Sequence, residues 1–126
     1  MTQTIRLTEK EAEVIRHRAT QPDCIAEVFS ETLDGWTTER VETLLAQIIA
    51  DTPGKGLRIT FNPGTVDHVL LLTELLEGNT TGDAADDYLA YYDIDEPEYR
   101  IGVALRRACD SVVRKFHAAG IVASIR

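Results

Sequence analysis

The stretch VDHVLLLTELLEG, residues 66–78, is the strongest constraint on the fold. On a helix, Val66, Val69, Leu70, Leu71, Leu72, Leu75 and Leu76 occupy most of the circumference. A helix that is apolar on most sides has to be covered on most sides, by protein or by lipid. The longest unbroken aliphatic run, Val69 to Leu72, is four residues, far short of the roughly 20 that a membrane span needs. The helix is therefore expected at the centre of a globular fold. A chain of 126 residues suits one domain that can hold such a core without staples. With 44% hydrophobic and 27% charged residues, the composition is that of a folded protein.

The flanking sequence supplies the cover. Residues 3–7 alternate as a short strand, and Thr8 with Glu11 forms a capping box for a helix over about 9–19. Pro22-Asp23 opens a second helix with Ile25, Val28, Phe29 and Leu33 inward, stopped by Asp34-Gly35. A third starts at Thr37 or Thr38 and carries the stripe Val41, Leu44, Leu45, Ile48, Ile49. Residues 51–56 read as a turn, LRITF (57–61) as a strand, and Thr65 as the cap of the apolar helix. A short helix over about 83–92 places Ala84, Ala85, Tyr88, Leu89 and Tyr92 inward. The last helix, about 96–119, buries Ile101, Ala104, Leu105, Ala108, Cys109, Val112 and Phe116. Gly120 stops it before a closing strand, 121–125. The fold class is α+β and predominantly helical: about six helices with a small sheet of two or three short strands (3–7, 57–61, 121–125), in one domain.

Charge is distributed unevenly. The formal net charge is −8, which repels phosphate backbones and disfavours direct nucleic-acid binding. Between Glu77 and Glu98 there are eight carboxylates and no basic residue, whereas residues 99–126 hold six basic residues and one acid. The acidic part divides in two. Asp83, Asp86 and Asp87 form the outer face of the short helix. Asp93, Asp95, Glu96 and Glu98 precede or open the last helix, where the helix dipole favours negative charge. Arg100, Arg107 and Arg114 recur every seven residues and share a face of that helix, widened by Arg106 and Lys115. Tyr91, Tyr99 and Trp36 fall off the apolar stripes and are expected at the surface, where they suit a protein interface.

Catalytic and metal motifs are not found in the sequence. His17, His68 and His117 have no second ligand at metal spacing, and DIDEPE (93–98) lacks the central glycine and closing glutamate of a calcium loop. Cys109 and His117 lie about two helical turns apart and cannot touch on one helix. TPGKG and NPGT contain glycine but not the phosphate-loop pattern. Cys24 and Cys109 read as buried reduced thiols. No cofactor is expected. The N-terminus has no basic-then-apolar signal, so a soluble, cytoplasmic protein is expected.

VDHVLLLTELLEGNT followed by the long helix RRACDSVVRKFHAAGI resembles a pattern in small phage and prophage proteins. The compact, acidic profile without enzyme motifs is similar to phage-encoded inhibitors of bacterial defence, including anti-CRISPR proteins. The resemblance covers about half the chain and carries no functional residue with it. It implies a non-enzymatic protein in a bacterial host, monomeric or homodimeric, that occupies a basic surface on a partner protein or nucleoprotein defence complex. Asp83, Asp86, Asp87, Tyr91, Asp93, Asp95, Glu96, Glu98 and Tyr99 are the expected contact residues, with Arg100, Arg107 and Arg114 as a second, basic face. The alternatives are a self-associating structural phage protein that uses Trp36 or the last helix, a small carboxylate enzyme, and a nucleic-acid reader on the arginine face.

Overall fold

The computed structural model describes residues 1–125. The elements run β1 (Gln3–Leu7), α1 (Glu9–Ala19), α2 (Pro22–Ser30), α3 (Thr38–Ile48), β2 (Ile49–Thr52), β3 (Gly56–Phe61), α4 (Val66–Glu77), α5 (Thr81–Tyr91) and α6 (Pro97–Ala118). Among the described residues there are thus six helices, α1 and α2 being parted only by Thr20 and Gln21, and one three-stranded sheet. The expected α+β class, predominantly helical with a small sheet, is what the chain adopts.

The sheet is antiparallel throughout, in the order β1-β3-β2. Ile5 pairs with Ile59 and Leu7 with Leu57 across β1 and β3, and Ile49 faces Ile59 from β2. Ile5, Leu7, Leu57, Ile59 and Phe61 are buried against the helices, while Thr4, Arg6, Arg58 and Thr60 face solvent. One face is covered and one is open, as the alternation in β1 and β3 requires.

The third strand is not the one expected. Residues 121–125 form no strand, although Ile121 and Ala123 are buried. The Ile121 N–H instead bonds the Phe116 carbonyl, and the His117 ring bonds the Ala123 carbonyl at 2.7 Å, which holds the segment against the end of α6. The third strand is Ile49–Thr52, running straight out of α3 and back through a turn at residues 53–55. Its sequence, IADT, is too polar and too short to show alternation, so Ile49 reads as one more residue of the helical stripe.

Gly56 fixes the hairpin against the body. Its φ is +97°, and a Cβ there would lie 2.0 Å from the Leu7 carbonyl oxygen, so only glycine fits. Its N–H donates to Glu9 at 2.9 Å. Glu9 also pairs with Arg16 at 2.6 Å, and Arg16 reaches Asp51 of β2 at 3.0 Å. The Arg16 hydrogen bond holds the Glu9 carboxyl below its ordinary range.

The apolar helix α4 buries Leu71, Leu72, Leu75 and Leu76, each worth about 1.5–3 kcal/mol of transfer free energy. Its first turn departs from the expected cover, with Val66 68% exposed. Thr65 stands at the N-cap position, but its side chain makes no cap bond. Val28 and Leu33 also lie at the surface rather than inside. Trp36, expected at the surface, is buried. Its ring packs 4.5 Å from Phe29, and the Arg40 guanidinium lies over it at 4.2 Å.

Helix α5 and the first half of α6 form an arm. No residue from Glu77 to Arg107 belongs to the hydrophobic core cluster, which resumes at Ala108 and Cys109. α5 packs chiefly on α6. They approach closely at Gly102, where an added Cβ would come within 2.6 Å of Tyr88 Cβ and 3.2 Å of the Ala85 carbonyl. The expected inner faces are corrected here. Ala84 and Ala104 are exposed, Tyr92 is partly exposed and Ile101 is 47% exposed, because no other described element covers this end of α6.

Candidate functional site

Asp83, Asp86 and Asp87 are all exposed on α5. Ala85 faces α6, so by helical spacing Asp83 and Asp87 project from the opposite side of α5. Among the described residues, neither forms an ion pair. Asp86 differs: its carboxylate takes a hydrogen bond from Arg106 at 3.1 Å, and the same guanidinium donates to the Gly82 carbonyl at 2.7 Å. Arg106 therefore ties α5 to α6 instead of widening the basic stripe.

The turn between the helices carries the second group. Asp93 and Asp95 are exposed, beside Tyr91 at 79% and Ile94 at 77% exposure. Glu96 is half-buried and turned inward on its own loop. Its carboxylate accepts from the Asp93 N–H at 3.1 Å, and its N–H donates to the Asp93 carbonyl at 2.9 Å. These bonds close the turn ahead of α6 without capping the helix, and they leave Glu96 and the half-buried Glu98 less available than Asp93 and Asp95. Tyr99, expected at the surface, is half-buried and lines a shallow groove with Ile94, Val103 and Ala104 between Arg100 and Arg107.

Arg100, Arg107 and Arg114 are exposed, and among the described residues none of them pairs with a carboxylate. Gly102 faces α5, so the arginine stripe points away from it. The arm thus has an acidic edge along α5 and its tip, and a basic edge along α6. The two do not neutralise each other except through Arg106. The solvated acidic edge and the basic stripe sit as the sequence implies, but they face opposite ways.

A second polar cluster was missed by sequence reading. Glu11 is 6% exposed and is the capping-box residue of α1. Beyond the Thr8 N–H at 2.8 Å, it accepts hydrogen bonds from Ser111 Oγ and from Lys115 Nζ at 2.6 Å, both on α6. Burial opposes ionisation of this carboxyl, but the donors outweigh it and lower its pKa to about 2. It is a clip between α1 and α6 that is charged at neutral pH, and so firmly ionised a carboxylate is a poor proton acceptor there. Burial pushes the Cys109 thiol up, away from thiolate chemistry. The spacing Ser111–Lys115 gives a same-face pair on α6, but no sequence signal joins it to Glu11, one hundred residues away.

Among the described residues, no three metal-ligating side chains converge, and no helix is long and apolar enough to cross a membrane. The chain matches no protein-family model, no curated protein and no solved structure.

Proposed function

We propose that this chain is a non-enzymatic binding protein of a bacterial host cytoplasm, of the phage anti-defence kind, that uses the acidic edge of its arm to occupy a basic surface on a protein or nucleoprotein partner. The reading rests on one observation: among the described residues, Asp83, Asp87, Asp93 and Asp95 are exposed without an ion partner, beside the exposed Tyr91 and Ile94, on an arm outside the hydrophobic core. Unpaired like charges repel one another in the free protein and are relieved when a basic surface covers them. Tyr91 and Ile94 add apolar contact at the centre of such a patch. A nucleoprotein complex offers the matching surface, a basic channel shaped for phosphates.

The test is a variant with Asp83, Asp87, Asp93 and Asp95 changed to Lys, immobilised beside the parent protein in a bacterial lysate. A partner retained by the parent and identified should be lost by the variant, and calorimetry on the purified pair should show the same loss. Far-UV circular dichroism must show the fold intact. Unchanged affinity in the variant would remove the reading.

Self-association is a second reading, favoured by the oppositely charged edges and by exposed Ile101 on α6. Because the edges face apart, such a contact is head-to-tail and gives rings or chains rather than a two-fold dimer. Sedimentation velocity should then show salt-sensitive oligomers larger than dimers. A strict monomer at high concentration excludes it.

A further inference from the structure

The open face of the sheet carries a charge arrangement that the acidic arm does not explain. Arg6 of β1 and Arg58 of β3 are direct cross-strand partners, and both are exposed. Their side chains leave the same face of the sheet, because residues opposite each other on paired strands point the same way. Like charges in this position repel. Among the described residues, neither arginine pairs with a carboxylate.

The surroundings supply no counter-charge from the strands. The other solvent-facing strand positions are Thr4, Thr60, Ala50 and Thr52, and Lys55 stands in the adjoining turn. Asp51, the acid of β2, opposes Leu57 on the helical side and is held there by Arg16. Ala50 pairs across from Arg58 and presents only a methyl group beside it. The result is a groove of about 360 Å³ that includes Arg6, Arg58, Lys55, Ala50 and Thr52. In a chain of net charge −8, the charged residues that line this groove among the described residues are all cations.

We propose that this groove is a binding site for a small phosphate monoester, held between the Arg6 and Arg58 guanidiniums with Lys55 and the Thr52 hydroxyl at its side. Two opposed guanidiniums call for one ligand group with two negative charges, which a phosphate monoester carries at neutral pH and a carboxylate does not. Planar guanidiniums match phosphate oxygens with paired hydrogen bonds. The volume lies in the small-molecule range of about 300–1,000 Å³. Long nucleic acid is opposed by the net charge. The Arg100, Arg107 and Arg114 stripe is different in kind, because neighbours about 10 Å apart along a helix do not converge on one phosphate.

The experiment is titration of the isotope-labelled full chain with AMP, followed by amide NMR shifts. Cyclic AMP is the single-charge control, with a phosphoserine peptide and a DNA duplex as further arms. Saturable shifts centred on residues 6, 56 and 58 are expected with AMP, and binding about tenfold or more weaker with cyclic AMP. Arg58→Thr should abolish the shifts. The same variant should melt no lower than the parent, since it removes the cross-strand repulsion and introduces a good strand residue. No saturable shift with AMP up to about 10 mM overturns the site. Equal affinity for AMP and cyclic AMP overturns the two-charge argument. Tighter binding of the phosphopeptide or DNA than of AMP overturns the small-molecule assignment. Loss of binding in Arg58→Thr accompanied by a lower melting point would mean that the pair is structural.

Discussion

The body and the arm of this protein are built by opposite rules. In the body, the buried face of the sheet, α1 to α4 and the second half of α6 share one core of large apolar side chains such as Phe61, Leu72 and Phe116. Its two buried polar residues are hydrogen-bonded, Glu11 by Thr8, Ser111 and Lys115 and Asn79 to the Val14 carbonyl, whereas Arg18 Nε is buried without a partner among the described residues. In the arm, α5 meets α6 through Ala85, Gly102 and half-buried Tyr88 and Leu89, while Tyr91, Ile94 and Ile101 stay exposed. Small contact residues bury little apolar area, so the arm gains little from packing. What it presents instead is charge, negative on one edge and positive on the other. The large buried side chains lie in the body, and the arm is held mainly by small ones.

The comparison breaks most visibly in the body. Phe61→Ala should destabilise the whole protein by about 3–5 kcal/mol, measured by urea unfolding with Trp36 fluorescence and circular dichroism moving together. An effect near zero would mean that the sheet face is not the core.

Acid should act through the clip between α1 and α6. The Glu11 carboxyl is depressed from an ordinary 4.5 to about 2 in the folded state, so the unfolded chain binds the proton more readily. Its contribution, about 3 kcal/mol, is therefore present above pH 4.5 and is lost as pH falls towards 2. Glu11→Gln should remove that part of the acid sensitivity and lower stability at neutral pH. If the stability curves of parent and variant run parallel from pH 5 to about 2, the clip contributes nothing.

Gly102→Ala sharpens the contrast. The added methyl meets Tyr88 Cβ and the Ala85 carbonyl, so α5 must move off α6. A loss of about 1–3 kcal/mol is expected, confined to the arm. Hydrogen exchange should accelerate over residues 81–107 and stay unchanged in β1 and β3. Uniform acceleration across both regions would show a single cooperative unit instead.

The smallest effect on stability belongs to the four-fold Lys variant of Asp83, Asp87, Asp93 and Asp95. These side chains have no ion partner among the described residues, so the melting free energy should stay within about 1 kcal/mol of the parent. A larger loss would place the acidic edge among the structural features.

Much of this division was legible before folding. Periodicity located all six helices and two of the three strands, since amphipathic stripes such as Val41, Leu45 and Ile48 follow from burial on one side. The Thr8–Glu11 capping box appears as written. The acidic and basic faces of the arm were legible because charges at helical spacing share a side whatever else the chain does. The misread positions share another cause. IADT pairs by backbone hydrogen bonds, which leave no trace in side-chain polarity. Trp36 is buried because Phe29 and Arg40 close over it, and neither neighbour is implied by the residues beside it. Ile101 and Ala104 continue an apolar stripe past the point where anything remains to cover them.

By itself, the sequence determined the six helices, two of the three strands and the sign of charge along each helix, because these depend on spacing within one segment. Only the tertiary structure decided which third strand completes the sheet, that Arg106 and not Arg107 binds α5, and that Arg6 stands opposite Arg58. It also decided that Glu11 meets Ser111 and Lys115 from the far end of the chain. Each of these is a meeting between distant segments, fixed by register and packing, and local periodicity carries no information about such meetings.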